Sequence, residues 1–173
     1  MMTSLLSYSR LLTQGEAQAL QQLPFPLLVW EVPAGAPNEE LLLRTQVMRV
    51  GMASPQLPAH NGEPLVFEVK KASHKANAFM MGVTVGRTEN NDIVLDDHSV
   101  SRFHAYFQQD AKTARWKLVD AESKNGTWVA GKRLTANQGE LLDDRQPVRF
   151  GDVDLRFYAP ASFLELVRSY GKR

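Results

Sequence analysis

The chain contains no cysteine, and this absence excludes several kinds of protein. Its 173 residues have no disulfide framework, no thiol nucleophile and no cysteine-ligated zinc site. The four histidines are scattered, without a pair at the spacing of metal ligands. The sequence therefore predicts no metal site and no cofactor.

An excess of charge of either sign is also missing. Lys and Arg number 20 and Asp and Glu number 19, which gives a formal net charge of +1. Such a chain has no overall field that would attract nucleic acid or an anionic membrane. Basic stripes with interleaved aromatic residues are absent as well. We expect neither partner, and any anion must be bound by a local group of residues.

Long hydrophobic runs are missing too. The longest apolar run, residues 24–30, is far shorter than the ~20 residues that span a bilayer. Polar residues interrupt residues 1–23, which do not have the pattern of a secretory signal. These observations lead us to expect a cytoplasmic protein.

Catalytic motifs are the last notable absence. The sequence contains no Walker-type glycine-rich loop, no Gly-x-Ser-x-Gly, no His-Glu-x-x-His and no kinase catalytic loop. Asp96 and Asp97 are neighbours whose side chains would point apart, which favours a solvated turn over an acid–base pair. The sequence predicts a protein that is not an enzyme.

The composition that is present is that of a globular protein, with 43% hydrophobic and 23% charged residues. Residues 3–23 have a helical pattern, and Thr13 with Glu16 form a capping box within it. Residues 25–32 and 40–50 predict two strands of a hairpin around a turn-rich segment. Together they form a predicted N-terminal extension, which we expect to pack on the rest of the chain.

A proline-rich connector separates this extension from a β-rich region. We divide the chain into an extension at 1–51, a linker at 52–64, a β-rich unit at 65–160 and a C-terminal helical segment at 161–173. Short segments with β patterns fill the β-rich unit: 65–71, 79–85, 93–95, 104–109, 116–120, 127–129, 140–142, 148–150 and 153–158. Short strands joined by turns favour an antiparallel β-sandwich over alternating βαβ units.

Three polar segments lie where these predicted strands begin or end, at 86–87, 101–104 and 123–127. They supply two guanidinium groups, hydroxyls, an ammonium group, an amide and glycines. Donors of this kind suit the holding of an anion better than the transformation of a substrate. The loops are expected to meet at one end of a sheet.

The residues of these segments resemble a known family. Val-Gly-Arg-Thr-Glu-Asn-Asn-Asp-Ile-Val-Leu, Val-Ser-Arg-Phe-His-Ala and Ser-Lys-Asn-Gly-Thr-Trp-Val-Ala-Gly are similar, in order and spacing, to the motifs of the forkhead-associated (FHA) domain. The resemblance covers about 65–158 and implies a mainly β, FHA-like sandwich in a bacterial protein. It also implies phosphothreonine-dependent binding in Ser/Thr kinase signalling. The implied partners are phosphothreonine-containing proteins, such as a kinase or its substrates.

The resemblance further implies a phosphopeptide site made of Arg87, Ser101, Arg102, Lys124 and Asn125. Arg87 and the hydroxyl of Ser101 would hold the phosphate, and Arg102 would contact the phosphate or the peptide backbone. Asn125 would pair with the peptide backbone. Lys124 departs from the family pattern, in which Ser or Thr is common at this position.

Four residues are expected to support the site rather than bind: Gly86, His104, Gly126 and Thr127. The resemblance implies that His104 forms hydrogen bonds within the loops and maintains their shape. Asn125-Gly126 is in addition a turn signal of its own. Asp92 is expected to order its loop through local Asx-type hydrogen bonds.

A second interpretation keeps the fold but removes the phosphate. Some members of the family act as phospho-independent scaffolds in secretion or oligomeric assemblies. Lys124 and the N-terminal extension leave this alternative open, and a comparison of phosphorylated with unphosphorylated peptides separates the two.

Overall fold

The computed structural model of the protein describes residues 2–30, 64–72, 79–80 and 82–171. The strands are β1 (Met2–Ser4), β2 (Leu27–Trp30), β3 (Leu65–Glu68), β4 (Val83–Gly86), β5 (Ile93–Val94), β6 (Ala105–Gln109), β7 (Trp116–Asp120), β8 (Thr127–Val129), β9 (Lys132–Arg133), β10 (Gly139–Leu141), β11 (Pro147–Phe150) and β12 (Val153–Tyr158). The helical segments are a 3-10 helix (Leu5–Tyr8), α1 (Ser9–Leu12), α2 (Glu16–Gln22) and α3 (Pro160–Tyr170).

The described strands form two sheets that pack face to face. One sheet has seven strands in the order β1-β3-β2-β12-β11-β8-β9, and the other has five in the order β10-β7-β6-β4-β5. The pairs are antiparallel apart from β4 and β5, which are parallel. The predicted mainly β sandwich, with a helical N-terminal segment and a short C-terminal helix, is confirmed.

Side chains that alternate along the strands fill the space between the two sheets. Val153, Leu155 and Phe157 of β12 point into this core, whereas Asp154 and Arg156 between them do not. The rings of Phe107 and Phe150 are 6.3 Å apart across the core. Burying each such ring stabilises the fold by roughly 1.5–3 kcal/mol, so the strands that carry the loops have a rigid base.

A second apolar cluster lies on the outer face of the seven-stranded sheet. Leu5 and Tyr8 from the N-terminal segment meet Phe163 and Val167 of α3 over Val29 of β2. The rings of Tyr8 and Phe163 pack edge to face at 5.0 Å. Helices therefore cover the half of this sheet that contains β2, β3 and β12.

The N-terminal region differs from the prediction in two details. The helical pattern at 3–23 is interrupted, because residues 2–4 pair with β3 and a turn separates α1 from α2. The predicted capping box is wrong: the Thr13 hydroxyl donates to the Arg10 carbonyl at 2.7 Å. The cap of α2 is instead Gly15, whose φ of 93° reverses the chain in a conformation that favours glycine.

The predicted hairpin is described only in its first strand. This strand is β2, and it lies between β3 and β12 within the seven-stranded sheet. The second predicted strand, 40–50, lies outside the described residues, as does most of the linker. The division into an extension, a linker and a β-rich unit therefore stays a prediction.

Each strand predicted between residues 65 and 158 overlaps a strand of the structure. The largest shift is in β4, which begins at Val83 rather than at residue 79. The short β9 was not predicted, because Lys132 and Arg133 are both exposed and carry no apolar signal.

Candidate functional site

The three polar loops meet at one end of the sandwich, and Ser101 joins them. β4 ends, β6 begins and β7 ends on this side, because the strands are antiparallel neighbours. The backbone N–H of Arg87 donates to the carbonyl of Ser101 at 2.9 Å. The backbone N–H of Lys124 donates to the hydroxyl of the same serine at 3.0 Å. Each loop is thus held by its neighbours.

The guanidinium group of Arg87 lies along the backbone of the second loop. Its Nε donates to the carbonyl of Val100 at 3.2 Å, and the residue is half-buried. Among the described residues, its two terminal amino groups have no hydrogen-bond partner. The side chain is therefore held at one nitrogen and keeps its fork of donors available for an anion.

Two further donors stand beside this arginine. The Ser101 hydroxyl accepts a hydrogen bond from the backbone N–H of Lys124, so the hydroxyl proton of Ser101 remains free to be donated. The side chains of Lys124 and Arg102 are exposed, and neither forms an ion pair with a described residue. The loops therefore present cationic groups without neutralising carboxylates.

Gly86 lets the first loop approach the second. A Cβ at this position would lie 2.2 Å from the Arg102 carbonyl oxygen and 2.7 Å from Nδ2 of Asn91. That carbonyl accepts hydrogen bonds from Asn91 Nδ2 at 2.7 Å and from the Thr88 hydroxyl at 2.9 Å. The sequence did not predict these hydrogen bonds of Thr88 and Asn91, because their shared partner, the carbonyl of Arg102, is 11 to 14 residues away.

His104 connects the second loop to the third. Its ring is fully buried and accepts a hydrogen bond at Nδ1 from the backbone N–H of Ser101, at 2.9 Å. Nδ1 therefore carries no proton, and Nε2 donates to the carbonyl of Gly126 at 2.9 Å. Burial lowers the pKa of His104, although the Gly126 carbonyl and the charge of Asp120 oppose this shift. The imidazole is neutral and bridges the loops.

The side-chain amide of Asn125 and the backbone of Gly126 hold the third loop in place. Nδ2 of Asn125 donates to the carbonyl of Ser99 at 2.7 Å, although the residue is exposed. Gly126 has a φ of 92°, and a Cβ there would lie 2.6 Å from Nε of Arg133. Its N–H donates to the hydroxyl of Ser123 at 3.0 Å.

A buried carboxylate that the sequence prediction missed fixes the base of this loop. Asp120 is 4% exposed and accepts hydrogen bonds from Ser123 N at 3.1 Å and from the hydroxyls of Ser123 and Thr127 at 2.6 and 2.5 Å. The hydroxyl of Thr127, itself buried, is therefore part of this hydrogen-bonded group. The spacing Asp-x-x-Ser was a local signal that could have revealed the role of Asp120.

The expectation that Asp92 forms local bonds is wrong. This carboxylate accepts from the backbone N–H and the hydroxyl of Thr84 at 2.8 and 3.0 Å. It also accepts from Lys71 Nζ at 2.9 Å and from the backbone N–H of Ala72 at 3.0 Å. Burial raises the pKa of Asp92, but these hydrogen bonds outweigh burial and lower it overall. Asp92 thus ties β4 to the segment after β3.

Neither a metal centre nor a membrane span is found within the described ranges. No three His, Asp or Glu side chains there gather as ligands of a metal ion. No helix in the same part of the chain has the length and apolar character needed to cross a bilayer.

Comparison with known proteins identifies a family and several relatives. The model of the FHA domain matches residues 83–151, a range that contains all the predicted site residues. The oxoglutarate dehydrogenase inhibitor of Corynebacterium glutamicum is 31% identical over 115 residues, which cover 63% of this chain and 78% of that protein. Protein phosphatase 2C 70 of Arabidopsis thaliana is 29% identical over 62% of this chain, but the match spans only 21% of the phosphatase.

A solved structure of Mycobacterium tuberculosis EmbR, in complex with a low-affinity phosphopeptide, is 31% identical, with a TM-score of 0.40. The match covers 45% of this chain and 20% of that one. The relative from Corynebacterium agrees with the expected bacterial origin. From the family model and the extent of the C. glutamicum match, the chain belongs to the FHA domain family.

Proposed function

We propose that the chain is a phosphothreonine-dependent protein-binding module that serves Ser/Thr kinase signalling and catalyses no reaction itself. The observation that carries the proposal is the union of three loops at Ser101, which accepts hydrogen bonds from the backbones of Arg87 and Lys124. This union supports a cradle for a phosphate group. The partner would be a phosphothreonine-containing protein, either a kinase or one of its substrates, in the cytoplasm.

The donors of the cradle suit a phosphate ester. Phosphothreonine brings about −1.5 to −2 charges and three acceptor oxygens at neutral pH. The two amino groups of Arg87 can contact two of these oxygens, and the Ser101 hydroxyl can donate to the third. Charge-assisted hydrogen bonds contribute roughly 1.5–3 kcal/mol each, so two or three supply much of the ~8 kcal/mol of a micromolar complex.

In this proposal Asn125 would hold the peptide rather than the phosphate. Its bond from Nδ2 to the Ser99 carbonyl orients the amide and leaves Oδ1 without a partner among the described residues. That oxygen can accept a hydrogen bond from a peptide N–H. Lys124 replaces the hydroxyl residue common in the family, and its ammonium group would act on the phosphate as a point charge.

The test uses a degenerate phosphothreonine peptide library and its unphosphorylated counterpart, each presented to the full chain. We expect selective retention of the phosphorylated library, followed by titration of a selected peptide. Arg87→Ala should weaken that peptide by about 2–5 kcal/mol, the range for removing one partner of a hydrogen-bonded charge pair. Arg87→Lys keeps the charge but not the fork, and should recover only part of the affinity.

Arg10→Ala is the matched control, because Arg10 is an exposed residue of the helical layer. It should bind like the unchanged chain. Equal retention of both libraries would refute phosphate dependence and support the phospho-independent scaffold instead. Normal binding by Arg87→Ala would contradict the assigned role of Arg87.

A further inference from the structure

The outer face of the seven-stranded sheet carries a row of three residues on β8, β9 and β11. Trp128 lies directly opposite Arg133 on one side and Arg149 on the other. Residues that face each other across antiparallel strands share one side of the sheet. Val148 and Phe150 point into the core, so the Arg133–Trp128–Arg149 row lies on the outside, on the half of the sheet away from the helices.

The guanidinium groups of both arginines pack against the indole ring of Trp128. Cζ of Arg149 is 3.9 Å from the centroid of the Trp128 ring, and Cζ of Arg133 is 5.5 Å from it. Both distances are within the range of cation–π attraction. The arginines are therefore positioned before any partner arrives, which reduces the side-chain entropy lost on binding.

Neither arginine is neutralised by a described residue. No carboxylate in this part of the chain forms an ion pair with Arg133 or Arg149. Nε of Arg149 is shielded from solvent and has no hydrogen-bond partner, although a shielded donor is normally satisfied. Asp154 stands opposite Arg149 on β12 without forming an ion pair with it. The row thus has unused donors and two positive charges that form no ion pair with a described residue.

The row is continuous with the candidate phosphopeptide site. A Cβ on Gly126 would lie 2.6 Å from Nε and 3.0 Å from a terminal nitrogen of Arg133. The absence of a side chain at 126 therefore makes room for this guanidinium group, next to Asn125. A peptide held by Asn125 would pass close to the first member of the row.

We propose that the Arg133–Trp128–Arg149 row is a second anionic subsite, which binds Asp or Glu side chains that flank the phosphothreonine. The inference rests on the proposed function and adds an acidic preference to it. Guanidinium forks match carboxylates in geometry as well as in charge. Two strand spacings separate the Cα atoms of the two arginines by roughly 10 Å, a distance that an extended peptide covers in about three residues.

The test compares two versions of a library-selected phosphothreonine peptide, one with Glu and one with Gln at its flanking positions. Binding to the full chain is measured by fluorescence anisotropy at low and high salt. We expect the Glu peptide to bind the unchanged chain about 3–10-fold more tightly at low salt, from one or two exposed ion pairs, and the ratio to fall at high salt. In Arg133→Gln the ratio should fall towards 1, with Arg149 retaining part of the preference, whereas Arg10→Gln should preserve it.

Two more variants guard against an indirect effect on folding. Asp154→Asn removes the carboxylate opposite Arg149 and should increase the preference for Glu. Arg149→Gln should decrease it, with the melting temperature recorded for each variant. Equal affinity for the Glu and Gln peptides, with the phosphate still required, would refute the subsite but not the proposed function. Equal affinity for phosphorylated and unphosphorylated peptides would refute both.

Discussion

Removing the imidazole of His104 tests whether one buried side chain holds the binding loops together. His104→Leu keeps an apolar group against Phe150, whose ring lies 5.8 Å from the imidazole. The variant deletes both hydrogen bonds of the ring, to Ser101 N and to the Gly126 carbonyl. Two variants isolate the halves of the bridge: His104→Asn retains an acceptor near Nδ1, and His104→Gln retains a donor that can reach the position of Nε2.

The expected cost depends on the two groups left behind. A buried donor or acceptor without a partner costs about 1–3 kcal/mol. Ser101 is half-exposed, so water can satisfy its N–H in part, while Gly126 is buried. We therefore expect His104→Leu to lower the free energy of unfolding by about 2–4 kcal/mol, and His104→Asn and His104→Gln to lose less.

Urea denaturation followed by the fluorescence of the three tryptophans measures this loss. With a slope of roughly 1–3 kcal/mol per molar urea, a loss of 3 kcal/mol moves the midpoint by roughly 1–3 M. Phosphopeptide binding should weaken in the same order as stability. A His104→Leu midpoint within about 0.3 M of the unchanged chain would refute the bridge, because a difference below about 1 kcal/mol is too small for two lost hydrogen bonds.

Two other predictions concern the same loops. Because the pKa of His104 is lowered in the folded chain, the unfolded chain binds more protons, and stability should be lost as the pH falls below ~6.5. Urea midpoints measured at pH 7.5 and 5.5 check this prediction. An equal decrease in the midpoint of His104→Leu between these two pH values would contradict it. Gly126→Ala and Gly131→Ala should each cost roughly 1–2 kcal/mol in urea denaturation, because both glycines are left-handed. Only Gly126→Ala should reduce the preference for Glu-flanked peptides, since it displaces Arg133 whereas a Cβ on Gly131 meets nothing within 4 Å; equal effects on that preference would contradict the contact.

The strands and loops were predictable because their signals are local. Alternation along β12 identified its buried face, and the segment Asn125-Gly126 identified a turn. The meeting of the three loops was predictable from the antiparallel order of short strands. Such features depend on residues within a few positions of one another, so a single sequence contains them.

The missed features depend on pairings that form only in the folded chain. Asp92 bonds to residues 8 to 21 positions away, but an Asp in a loop predicts bonds to its own neighbours. The short β9 carries no apolar pattern, and Arg133 acquires its place beside Gly126 only when β9 pairs with β8. The sequence therefore allowed a prediction of which residues bind, but not of the contacts that position them.

Under the proposed function, these positioning contacts explain how a small, nearly neutral protein would hold a doubly charged group. His104 and Asp120 are buried, and they form hydrogen bonds with the backbone and hydroxyl groups of the loops. The cationic ends of Arg87 and Lys124 have no such partner among the described residues, so folding itself leaves them free. The loops would therefore need little ordering when a phosphopeptide binds. The switch would then lie in the modification of the partner, and this chain would act as a rigid receiver.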